Sequence, residues 1–164
     1  MTLALNASSQ DIRNIVVKFG QGAFFAHHAA TITVATATTL KLTVDTEIVD
    51  VCSWFDDSLF TPKQPGYYLL FASLNVTSDT DWSDGKLLSM FIRKNAATPA
   101  YVAKSGVVVA GHPTSASGGI TQIVILEANG TTDNFDLAVS HDDDSTIGVS
   151  DIAFGGVFVS YNKP

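Results

Sequence analysis

An all-β sandwich is the fold class this sequence predicts, and three observations predict it. Apolar residues recur with period two in Leu40-Lys41-Leu42-Thr43-Val44 and again in Phe135-Asp136-Leu137-Ala138-Val139-Ser140, each the pattern of a half-buried strand. Turn-forming clusters recur about every ten residues: Pro62 to Gly66, Thr77 to Gly85, Asn95 to Pro99, His112 to Gly119, Asn129-Gly130 and Asp142 to Gly148. No stretch longer than about a dozen residues combines a 3.6 period with caps. The 164 residues suit one domain, long enough to bury roughly two thirds of the surface its unfolded chain exposes.

Taken in order, Ser8 to Lys18 (SSQDIRNIVVK) is the best helical candidate, with a serine cap and Ile12, Ile15 and Val16 on one face; it reads equally as a lead-in strand or a linker. Residues 1–20 are therefore assigned as a lead-in or anchor segment and 21–164 as the head domain. The Ala/Thr-rich AFFAHHAATITVATATTLKL that follows belongs inside a sheet, because a weakly charged β segment with bare edges aggregates.

The stretch FTPKQPGYYLLFASLNV explains its own corner. Pro62 and Pro65 lack backbone donors and fix φ, so the segment cannot be an interior strand; Gly66 permits a sharp turn, and a strand starts at Tyr67. Tyr68, Leu70, Ala72, Leu74 and Val76 share one face of it, Tyr67, Leu69, Phe71 and Ser73 the other. Ile120 to Leu126 and Ile152 to Tyr161 are also largely apolar on both sides. A lone sandwich would leave one of those faces wet, so the second face is expected to meet another subunit.

Composition excludes several partners. With 9 Lys+Arg against 16 Asp+Glu, the net charge is −7 and no basic stripe exists, which argues against nucleic acid and anionic lipid. No apolar run approaches a membrane span, so no membrane insertion is expected. Charged residues make up 15% against 46% hydrophobic, a poorly charged surface that fits an interface. Cys52 is the single cysteine, so no internal disulfide forms, and MTLALNASSQDIR lacks the charged start and apolar run of a signal peptide.

Chemistry-bearing patterns are sparse. Asp79 to Gly85 resembles the start of a calcium loop, but the sixth position is Asp84 instead of Gly and the twelfth is Met90 instead of Glu. Asp142, Asp143 and Asp144 are the candidate cation ligands, with a solvated loop tip as the plainer reading. His27 and His28, adjacent in an extended strand, point to opposite faces and cannot share a metal, and His112 and His141 lack a spacing partner. Cys52 in Val-Cys-Ser-Trp reads as a small buried hydrophobe in a strand-like run. No nucleophile elbow or phosphate-binding glycine loop occurs, so neither a catalytic residue nor a cofactor is assigned. A glycan hydrolase would need two acids across one cleft, and Glu47 and Glu127 are the only glutamates.

From Leu40 nearly to the end, the chain resembles the globular head of complement component 1q and its tumour necrosis factor-like relatives. LKLTVDTEIVD is similar to their early strand and its Asp, here Asp50; FDDSLFTPKQPGYYLLFASLNV is similar to their central motif, with Phe60, Gly66 and Tyr68 at its marked positions. MFIRKNAATPA resembles the Lys-Asn turn (Lys94, Asn95), ILEANGTTDNFDLAV the strand pair around Asp133, and IAFGGVFVSY the closing Phe-x-Gly strand (Phe154, Gly156). The sequence departs from the pattern at Leu70, where an aromatic is usual, at Asn95-Ala96 in place of Asn-Gly, and at Thr132 in place of Gly.

The resemblance implies a ten-stranded jelly roll assembling as a homotrimer, with Tyr68, Leu70, Phe154 and Phe158 near the threefold axis. It also implies a recognition head with no enzymatic activity. No collagen-like Gly-X-Y repeat is present. Met1, the missing signal peptide, the single cysteine and the Ala/Thr/Gly/Asp-rich β composition point to a bacteriophage virion component: a fibre tip, spike or capsid decoration. Its partners would be a host-surface glycan or protein, or another virion protein. The alternative is an extracellular carbohydrate-binding module assisted by calcium at Asp142 to Asp144.

Overall fold

A computed structural model describes residues 22–77, 86–96, 119–144 and 146–161, and the strand path of 101–108. Twelve strands are found there: β1 (Phe24–His28), β2 (Ile32–Val34), β3 (Leu40–Lys41), β4 (Thr46–Asp50), β5 (Phe55–Asp56), β6 (Leu59–Phe60), β7 (Pro65–Thr77), β8 (Leu87–Lys94), β9 (Tyr101–Val108), β10 (Gly119–Asn129), β11 (Phe135–His141) and β12 (Ile147–Ser160). Four of them are only two or three residues long. They form two antiparallel six-stranded sheets, one in the order β10-β7-β12-β1-β4 with β2 on β12, the other β5-β6-β11-β8-β9 with β3 on β11. The expected helix at Ser8 to Lys18 and the calcium-loop lookalike at Asp79 to Gly85 lie outside the described residues.

The core between the sheets follows from the period-two pattern. Along β7 the even positions Tyr68, Leu70, Ala72, Leu74 and Val76 are buried, whereas Tyr67, Leu69, Phe71 and Ser73 are half-exposed. The strand starts at Pro65, two residues before the expected Tyr67, with Pro65 as its first residue opposite Asn129, where a missing donor is tolerated. At Gly66 φ is +147°, and a Cβ would lie 2.6 Å from both the Phe158 ring and the Ser160 carbonyl, so the corner admits only glycine.

Phenylalanines fill the centre. The Phe24 ring stacks on Phe60 at 4.2 Å and on Phe55 at 5.0 Å, and meets Phe154 edge-on at 4.9 Å; Phe60 in turn meets Tyr68 edge-on at 5.5 Å. Such pairs contribute beyond the area they bury, by about 0.5–1.5 kcal/mol each. The Tyr68 hydroxyl donates to the Gln64 carbonyl at 2.8 Å, and burial, with smaller contributions from Cys52 and Tyr161, holds its phenol neutral well above the usual range.

Two expectations are corrected here. The alternation in β11 does not leave one side wet: Asp136 and Ala138, on the side away from the core, are as buried as Leu137. Cys52 lies in the turn between β4 and β5, half-buried, with its Sγ accepting a hydrogen bond from the Gly22 amide at 3.2 Å.

Candidate functional site

Asp50, Lys94, Asn95 and Asp133, the motif positions at loops, prove to be loop locks. Asp50 accepts from the amides of Cys52 at 3.2 Å and Phe55 at 2.8 Å, closing the turn that Cys52 occupies. Asp133 gathers three donors: Asn95 Nδ2 at 2.8 Å, the Asn129 amide at 2.7 Å and Lys94 Nζ at 2.8 Å. Burial works against that carboxylate, yet the three hydrogen bonds outweigh it and hold its pKa below the ordinary carboxylate value. Asn95, at φ +54°, accepts from the Asn134 amide through its side-chain oxygen at 2.9 Å, and its own amide donates to the Asn134 carbonyl at 2.9 Å, so the β8 and β10–β11 loops are tied in both directions.

The acids Asp142, Asp143 and Asp144 diverge. Asp142 Oδ1 accepts from the Leu87 amide at 2.6 Å, Asp143 is fully buried, and Asp144 is an exposed partner of Lys86 at 3.4 Å. Among the described residues no three His, Cys, Asp or Glu side chains come together as a metal site. His27 and His28 are both half-buried, and His28 Nδ1 lies 2.8 Å from the exposed Asp45 carboxylate. His141 closes β11 as a buried ring whose Nε2 is 3.0 Å from the Val34 carbonyl.

The four residues expected near a threefold axis occupy the other face of their strands. Tyr68, Leu70 and Phe154 have no exposed surface within one chain, and Phe158 has 4%. They pack toward the second sheet, so no area is left on them for a partner to cover. Strand parity moves the expectation by one residue: the side chains that face outward are the neighbours Tyr67, Leu69 and Phe71 on β7 and Val157 on β12.

These outward residues line up across the sheet. The register places Ile123, Phe71, Gly155, Phe25 and Val49 in one row over five strands, and Ile125, Leu69 and Val157 in the next. Ile123 is 65% exposed and Val49 45%. Polar side chains border the rows, with Thr121, Ser73 and His27 on one side and Glu127 beside Tyr67 on the other. The signal that could have found this face is in β10, where Gln122 is buried while its neighbour Ile123 is exposed, an inverted amphipathicity.

A second feature lies on the other sheet. Arg93 on β8 and Asp136 on β11 face each other across the strands, with Nε and Nη2 each 2.6 Å from a carboxylate oxygen. Asp136 is 2% exposed, although it points away from the core. Above this pair a groove of about 480 Å³ opens, bounded by Lys41, Leu59, Thr132 and Asn134. Sequence reading missed it because 43 residues separate the two charges.

No protein-family model and no curated protein matches the chain. Solved structures do. The globular domain of zebrafish complement 1qA aligns with TM-score 0.61 and 17% identity over 87% of this chain and 99% of its own. Eiger TNF from S. frugiperda aligns with TM-score 0.60 and 13% identity over 87% and 96%, and murine APRIL at pH 8.5 with 0.57 and 8% over 84% and 99%. The chain thus has the complement 1q/TNF-like jelly-roll fold.

Proposed function

We propose that this chain assembles as a homotrimer through the outer face of the β10-β7-β12-β1-β4 sheet and acts as a non-enzymatic recognition head. The observation that carries the reading is the pair of apolar rows running from Ile123 to Val49 and from Ile125 to Val157. A monomeric protein rarely leaves a contiguous apolar patch open to water, and an apolar centre ringed by polar residues is the anatomy of a subunit interface. A closed cyclic assembly would cover these rows on every copy.

As to setting, the low charge and Ala/Thr-rich β composition support a virion component, a fibre tip, spike or capsid decoration that attaches to a host surface or to another virion protein. The test is light scattering after size exclusion. Three chains of 17.4 kDa give a species of about 52 kDa, whereas a 17.4 kDa species overturns the assembly. For the setting, particles lacking the protein should lose host adsorption or capsid stability, and particles unchanged in both would overturn it.

A further inference from the structure

We infer that the groove over the Arg93–Asp136 pair is a binding site for a neutral saccharide, held without metal. The pair itself is the first reason. Charges withdrawn from water on the outer side of a sheet contribute little net stability, and apolar replacements of the same volume often serve as well or better. What such a pair does supply is a rigid floor, since a guanidinium fork gripped at two points by a carboxylate cannot rotate away.

The unspent hydrogen-bonding capacity is the second reason. Among the described residues, Arg93 uses Nε and Nη2 on Asp136 and keeps the two N–H groups of Nη1. Among the same described residues, Lys41 Nζ spends one donor on the Asp57 carbonyl at 2.8 Å and keeps two. Thr132 Oγ1 accepts from Asn129 Nδ2 at 2.8 Å and keeps its own hydroxyl proton, and the Asn134 side-chain oxygen is an acceptor on the same groove. Donors and acceptors gathered on one groove suit hydroxyl groups, each of which both gives and takes a hydrogen bond. Leu59 offers an apolar contact for the C–H face of a sugar ring.

The charge balance does not call for an anion, because only one cation is left over locally and the chain as a whole repels anions. The floor pair compensates itself, so Lys41 is the single uncompensated cation among these groove residues, within a chain of net charge −7. At about 480 Å³ the groove is within the usual range for small-ligand sites. It lies on the sheet opposite the apolar rows, so assembly would leave it open to solvent. The inference names a ligand class for the recognition head but does not depend on the trimer: a monomer that binds saccharide would overturn the assembly and leave the groove standing.

The test uses the full-length chain, labelled with nitrogen-15, titrated with maltose, cellobiose, lactose, mannobiose and diacetylchitobiose. Each is added to about 10 mM, enough to occupy most of a site with a Kd of about 1 mM. The expected result is a shift of the Arg93 Nε–H and Asn134 amide signals with at least one disaccharide. Asn134→Ala and Lys41→Ala, which leave the buried pair intact, should weaken binding at least fivefold at an unchanged melting temperature. No shift with any of the five, or shifts elsewhere on the chain, overturns the site. Sodium sulfate and galacturonate are titrated in parallel, and a response confined to either of them overturns the neutral class.

Discussion

The Phe71 ring lies directly over Gly155: a Cβ on Gly155 would overlap three atoms of that ring, and Phe71 in turn stacks on Phe25 with centroids 6.1 Å apart. The absent side chain lets an aromatic on β7 lie flat across β12 on the outer face, while Gly156 does the same for Leu70 and Phe24 on the inner face. Gly155→Ala forces the Phe71 ring off the sheet. It is expected to cost about 1–3 kcal/mol of stability, the usual penalty for overpacking, read as a lower urea midpoint at unchanged slope.

Ile123, at 65% exposure, is the most open large apolar residue on this face. Ile123→Asp is expected to shift the scattering mass toward 17.4 kDa, while the dissociated chain keeps its stability within about 0.5 kcal/mol. A mass unchanged by the charge would place the assembly surface elsewhere.

Phe60 is the contrasting case, fully buried with Phe24, Tyr68 and Phe135 rings around it. Phe60→Ala is expected to cost about 3–5 kcal/mol and to unfold a marginal chain outright, measured by thermal denaturation. A loss below about 1 kcal/mol would mean the ring cluster does not form as described.

Much of this architecture is legible in the sequence, because strand parity is. Period two sorts Tyr68, Leu70 and Ala72 from Tyr67, Leu69 and Phe71 correctly, but parity states only which residues share a face. Which face meets the second sheet depends on contacts from residues far along the chain, such as Phe24 and Phe60, so parity alone does not show that Tyr68, Leu70, Phe154 and Phe158 are the residues buried within one chain. The loop motifs were legible for a different cause: Asp133 and Asn95 repeat a familiar local pattern, and the hydrogen bonds follow from it. Arg93 and Asp136 carry no local pattern at all, since only the β8–β11 register brings them together.

Metal removal should change nothing. Asp142 is committed to the Leu87 amide, Asp143 is buried, and Asp144 faces Lys86, so they offer no common point to a cation. The melting temperature is expected to be the same in EDTA and in excess calcium. A calcium-dependent rise would show a site that binds only the folded state and would restore the calcium-assisted reading.

Acid should unfasten the loop lock at Asp133. Burial raises the pKa of this carboxyl, but Lys94, Asn95 and the Asn129 amide lower it further, and the folded value ends below the ordinary 3.8. A depressed carboxylate binds its proton more weakly in the folded chain than in the unfolded one. Its contribution is therefore complete above the unfolded pKa near 3.8 and is lost as pH falls through the lower folded value. Asp133→Asn removes the charge but keeps the shape. It is expected to cost about 1–3 kcal/mol at neutral pH, because the new amide nitrogen faces donors that need an acceptor. Below pH 4 the gap between variant and parent should narrow, since the parent carboxyl is then being neutralised as well. Urea midpoints measured from pH 7 down to pH 2 check this, and a gap that stays constant over that range would show that Asp133 does not hold the loops through its charge.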